Sequence, residues 1–253
     1  MTISLLPQTA FLFMLMFARL GTLIMLMPAL GERTMPMRIR LSMALAITLV
    51  LYPAVSTAYP PLPAGFGGMI WAFAGEFAIG FGIGLIARMI STSLQTAGTT
   101  IAFQMGLGFA LSVDPSQGQQ GALIGNFLSI MGIALIFATD LHHMVLAALY
   151  DSYTLFRPGE AWPVGDFTEA VLLTVSQTFV IGIQIAAPFI VFGLIFYLGL
   201  GILSRLMPQL QIFFIAMPAN ILVGFILFMF LIGAVMAWYL DHVESLLGRF
   251  LAN

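Results

Sequence analysis

Two uncharged stretches of 35 residues, Ala170 to Ser204 and Leu206 to Leu240, follow each other with only Arg205 between them. Soluble domains carry roughly 25% charged residues. This chain carries 7%, against 61% hydrophobic, with a mean hydropathy of +1.08. The composition is that of an integral membrane protein or of a subunit buried in a membrane-embedded assembly. As a single helix, Ala170 to Ser204 would measure about 52 Å at ~1.5 Å per residue. Fitting it into ~30 Å of hydrocarbon would need a tilt near ~55°, beyond the usual ~0 to 40°. Either Pro188 breaks it or it projects from the bilayer. In the second stretch Pro208 and Pro218 bracket QLQIFFIAM, so a continuous helix is expected from about Ala219. The pattern is a helical hairpin with RLMPQLQIFFIAMP at its bend. Two ordinary spans with an apolar loop are the alternative, but that loop would expose Ile212, Phe213, Phe214 and Ile215 unless a partner covered it.

Ala10 to Leu30, Leu41 to Ala58, Phe66 to Ala87 and Ala122 to Thr139 are each near the ~20 residues of a membrane-spanning helix. The breaks fall at GERTMPMRIR, at YPAVSTAYPPLPAG and in a long polar interval from Arg88 to Gly121. Leu141 to Phe156 is semi-polar, and Arg157 to Gly165 is rich in turn formers. The start of the chain, MTISLLPQTAFLF, has no positive segment, which argues for retaining the first apolar run as structure.

Within the polar interval, Gln104 to Gly121, QMGLGFALSVDPSQGQQG, is glycine-rich yet flanked by bilayer-grade segments. Non-helical backbone survives at membrane depth only where protein or water satisfies its N–H and C=O groups, so this strip should border a cavity or passage. The residues before it read as a helix with Arg88, Thr92, Gln95, Thr96 and Thr99 on one side. A wet helix face leading to an apolar tip of Leu107, Phe109 and Leu111, loosened by glycines, has the make-up of a plug.

Absent residue types exclude several chemistries. All eight basic residues are Arg, so there is neither a Schiff-base amine nor a P-loop lysine. No cysteine is present for disulfides, thiolate nucleophiles or Cys-based metal sites. A net charge of −2 leaves no footprint for nucleic acid. No GxSxG elbow or Ser/His pairing appears, and no enzyme is expected. Asp140, His142 and His143 form the one cluster resembling a metal or acid–base site. Adjacent histidines point to different faces of a regular helix, so the expectation is interfacial polar residues and no metal or cofactor.

Arg19 and Glu76 are ionisable residues inside apolar runs. Each is expected to face a partner or a watered interior, and a proton relay through Glu76 lacks a second acidic residue to continue it. Glu32, Arg33, Arg38 and Arg40 crowd into GERTMPMRIRL, stiffened by Pro36. They read as a topology anchor or as a docking surface for other subunits. With the N-terminus outside, Arg33, Arg38, Arg40, Arg88 and Arg205 would fall on the inner side, leaving Arg157 and Arg249 outside. Gly80 and Gly84, and Gly121 and Gly125, are spaced for close helix contact, and Gly193, Gly199 and Gly201 line the long hairpin helix.

Three segments in order, GERTMPMRIRL, QTAGTTIAFQMGLGFALSVDP and GILSRLMPQLQIFFIAMP, together resemble the FliR family of flagellar export-gate proteins, called SctT in virulence secretion systems. The resemblance implies an all-α polytopic membrane protein of the bacterial inner membrane, at the flagellar basal body. It implies a FliP-like portion over 1–165 and a FliQ-like helical hairpin over 166–253, with helices wound into a cone. The implied partners are FliP-like and FliQ-like gate subunits, FlhB and FlhA, with unfolded flagellar proteins as cargo. The family's pore-closing element falls on Gln104, Met105, Gly106, Leu107, Gly108, Phe109, Ala110 and Leu111, with Asp114 and Pro115 shaping the turn. Subunit docking falls on Glu32, Arg33, Pro36, Arg38 and Arg40 and, at the hairpin tip, on Arg205, Pro208, Gln209 and Pro218. The expected function is a structural, pore-lining subunit of the flagellar type III export gate. The alternatives are the homologous injectisome subunit and a small-solute secondary transporter, for which the chain shows broken apolar segments but no inverted repeat.

Overall fold

A computed structural model of the chain describes residues 5–28, 30–31, 35–61, 63, 65–108, 123–160, 164–207 and 212–248. Among them are seven α-helices: α1 (Leu5–Leu26), α2 (Met37–Val55), α3 (Phe66–Gln104), α4 (Leu123–Ala138), α5 (Leu141–Leu155), α6 (Val164–Leu206) and α7 (Ile212–Leu247). A single 3₁₀ turn, Ser56–Ala58, follows α2. Five helices are long and apolar enough to cross a membrane, or up to six if α4 and α5, bent by 80° at their junction, count as one broken span. The bend lies at Asp140, a non-glycine residue in the left-handed region at φ 59°. Few side chains adopt that conformation, and it stops α4 from continuing into α5.

Two boundaries differ from the sequence expectation, at Arg88 and at Ala219, and the open choice at Pro188 is resolved. Arg88 does not end a span, because α3 runs unbroken for 39 residues and the first part of the polar interval, Arg88 to Gln104, is its C-terminal part. Pro188 does not break α6, which is continuous over 43 residues. Nor does α7 wait for Ala219: it begins at Ile212 and passes through Pro218. The two prolines share a physical reason. An interior proline removes one backbone hydrogen bond, whereas ending a helix in an apolar setting strands up to four carbonyls and four N–H groups, a larger penalty where water is scarce.

The described residues group into two compact units: Met1–Ile90 with Ile136–Val175 and Val243–Asn253, and Ser91–Leu135 with Ser176–His242. In the first, α1 crosses α3 where Gly80 meets the Arg19 backbone and Gly84 meets Leu23 and Leu26. A Cβ on Gly80 would collide with the Arg19 carbonyl, so glycine sets this approach. In the second, Gly98 of α3 lies against the Gly125 backbone of α4, and Gly182 of α6 against Thr96 and the Ser93 carbonyl. Ser93, Leu94, Ala97, Ile101 and Ala102 are buried on one side of α3, while Thr92, Gln95 and Thr99 are exposed on the other, as the spacing predicted; Arg88 and Thr96, expected beside them, are half-buried. Gly199 and Gly201 touch nothing within 4 Å.

Candidate functional site

The expected plug leaves the second unit from the end of α3. Five of its residues, Gln104 to Gly108, are described; Phe109, Ala110, Leu111, Asp114 and Pro115 lie outside the described residues. The helix closes with two backbone bonds, Leu107 N–H to the Ala102 carbonyl at 3.0 Å and Gly106 N–H to the Phe103 carbonyl at 3.1 Å. With Gly106 at φ 80°, this is a Schellman C-cap. Gly106 therefore fixes the end of the helix, rather than loosening the chain there. Its αL geometry would cost a Cβ-bearing residue roughly 1–2 kcal/mol.

Residues of α6 and α7 hold this cap. Asn220, only 2% exposed, donates from Nδ2 to the Gln104 carbonyl at 3.2 Å and so occupies one of the carbonyls that a helix C-terminus leaves over. Met105 is fully buried, and a Cβ on Gly224 of α7 would come within 2.7 Å of its Cγ. The Gln104 side chain lies against Gly193 of α6, where a Cβ would strike its Oε1. Sequence reasoning missed Asn220 and Gly224. The available signal was that Asn220 is the one Asn within an uncharged run of 35 residues, where a polar amide needs a partner.

The first unit holds a buried charge centre instead. Arg19 has no exposed surface, and its guanidinium grips the Glu76 carboxylate through Nε to Oε2 at 2.5 Å and Nη2 to Oε1 at 3.1 Å. Its Nη1 donates to the Ser152 carbonyl at 3.0 Å and the Phe156 carbonyl at 2.9 Å, capping the C-terminus of α5. Its Cζ stands 4.4 Å over the Tyr153 ring. Of the two expectations, a partner or a watered interior, the structure realises the first, and the partner of each charge is the other. They satisfy each other, since a bidentate pair with capped carbonyls recovers desolvation that a lone charge does not. Beside them, burial pushes the Tyr59 phenol above its ordinary pKa, keeping it neutral.

The remaining expected sites are dispersed. Arg40 folds back to donate to the Gly31 carbonyl at 3.3 Å, bracing its own turn, while Pro36 and Arg38 are exposed. Glu32, Arg33, Pro208 and Gln209 lie outside the described residues. Arg205 is exposed in the last turn of α6, where a cation suits the helix dipole, and Pro218 is exposed within α7. His142 and His143 do not point apart as expected. Their rings stand 4.2 Å apart, and with Asp140 the three offer ligand atoms within 4.8 Å of one another. Rotation about χ1 and χ2 brings the rings together despite the ~100° between adjacent helical positions. A cation there would face the N-terminal turn of α5, whose dipole opposes it.

Residues 10–246 match the bacterial export proteins, family 1. The chain belongs to that family. Among its relatives, it is 43% identical to the flagellar biosynthetic protein FliR of Caulobacter vibrioides over 93% of this chain and 94% of the relative. It is 32% identical to the FliR of Bacillus subtilis over 85% of this chain and 83% of the relative. Yop proteins translocation protein T of Yersinia pestis is 25% identical, covering 86% of this chain and 84% of that protein. As an export-family member with several helices able to cross a bilayer, it is a membrane protein. The resemblance to the FliR family is borne out across nearly the whole chain.

Proposed function

We propose that this chain is a non-enzymatic, pore-lining subunit of the flagellar type III export gate, and that Gln104 to Gly121 closes the conduit through which unfolded flagellar proteins pass. The observation that carries the reading is the build of the loop's root in an export-family chain. A capped helix end, held by Asn220 and packed on Gly193 and Gly224, delivers a glycine-rich apolar strip from a fixed point. A plug needs a fixed root with a yielding tip.

The apolar faces of α6 and α7 are the surfaces for FliP-like and FliQ-like neighbours. Leu194, Leu198, Leu206 and Phe230 are all exposed in the single chain, beside Gly199 and Gly201, which leave room for close helix approach. In this reading residues 1–165 form the FliP-like part and 166–253 the FliQ-like part. Arg38, Arg205 and Pro218 serve docking, FlhB and FlhA join the assembly, and its place is the inner membrane at the basal body. The test is the mass of the complex purified in mild detergent through a tag on this chain. A hetero-oligomer with other small hydrophobic chains is expected, and a stable monodisperse monomer or homo-oligomer would defeat the reading.

A further inference from the structure

A cavity of about 510 Å³ opens in the first unit between α1, α3 and the proline-rich segment after α2. Its walls are mostly apolar, with Phe11, Leu12 and Leu15 on one side and Trp71, Gly75 and Ile79 on the other, and Tyr59, Glu76 and Glu160 are the polar residues that line it. Its lining on α3 runs from Gly68 to Ile79, about 16 Å at ~1.5 Å per residue, which is roughly half of the ~30 Å hydrocarbon core and so the depth of one lipid leaflet. Just beyond its deep end α1 and α3 close together at Arg19 and Gly80. Near the other end Trp71, 81% exposed in the second turn of α3, has the character of an interfacial anchor.

A second cavity, of about 480 Å³, shares Tyr59, Pro60 and Glu160 with the first and adds Arg157 and Thr154. It places a guanidinium and a carboxylate at one mouth, a charge pattern that matches a phosphate next to an ammonium group. We infer that this pair of cavities seats one phospholipid, an acyl chain along α3 and an amine-bearing zwitterionic headgroup between Arg157 and Glu160. The site lies within the first unit and does not depend on the plug.

Gly75 supplies a clean probe, because a Cβ there meets nothing within 4 Å and a larger side chain can fill the cavity without a backbone clash. A photoreactive benzophenone amino acid at Ala72, irradiated in native membranes, should give the intact chain plus the mass of one phospholipid, enriched in amine headgroups over the bulk membrane. Gly75→Leu should abolish that adduct while leaving untouched the lipid adducts at the outward position Val50. Glu160→Gln should return the headgroup ratio to that of the bulk. An adduct to another protein, an Ala72 adduct insensitive to Gly75→Leu, or wild-type adducts in the bulk headgroup ratio would each overturn the assignment.

Discussion

The two units are held by opposite means. In the first, a fully desolvated guanidinium joins α1, α3 and α5 through a bidentate carboxylate, two helix carbonyls and an aromatic face. In the second, the same helix α3 ends on a neutral amide, one methionine and a set of glycines. A buried ion pair is all or none, because removing either partner strands the other at a penalty of about 3–5 kcal/mol. A neutral buried hydrogen bond contributes only about 0.5–1.5 kcal/mol and can be exchanged. The contrast suits a chain that needs a rigid frame at one place and a releasable closure at another.

The largest break in that contrast should come from Arg19→Ala. It leaves Glu76 buried and unpaired, and we expect loss of roughly 3–5 kcal/mol, seen as strongly reduced steady-state protein and faster proteolysis in membranes. An Arg19→Met/Glu76→Met double variant should recover most of the protein level, because apolar pairs of similar volume replace buried ion pairs well. Levels as low as in the single variant would mean that the carbonyl caps matter more than the pair. Next in size, Gly98→Leu should disrupt assembly, since a Cβ already collides with the Gly125 backbone. Overpacking typically costs about 1–3 kcal/mol, and co-purification of partner subunits reads it out.

Asn220→Ala should be milder, about 0.5–1.5 kcal/mol for a part-buried neutral hydrogen bond lost. The protein level should stay near wild type while the Gln104–Gly121 segment becomes more susceptible to protease and ion leakage rises. An Asn220→Ala chain that loses accumulation as severely as Arg19→Ala would erase the distinction between frame and latch. The smallest effect belongs to the bend at Asp140. Single alanine substitutions of His142 or His143 should leave motility nearly intact, and abolished motility with normal protein levels would assign these side chains a role in export.

How far the sequence disclosed this arrangement depended on the range of the interactions. The apolar runs and the wet side of α3 were legible because a membrane sets a length scale and a helix sets a period. Pro218 misled, and Pro188 left a choice open, because the rule that proline ends helices is calibrated where water can take up freed backbone groups. The pairing of Arg19 with Glu76 joins residues 57 apart and was invisible without knowing which helices touch. Gly106 was read as freedom because a glycine in a polar strip suits a hinge and a C-cap equally; only the bonds to Ala102 and Phe103 distinguish them.

The central claim is that the strip beyond Gly108 seals a conduit whose root is the end of α3. It is tested most directly by the ion permeability of membranes carrying the assembled gate, comparing the wild-type chain with one lacking residues 109–118 but retaining the Gly106 cap. The account predicts a marked rise in permeability at unchanged subunit composition. Equal permeability in a correctly assembled complex would contradict it.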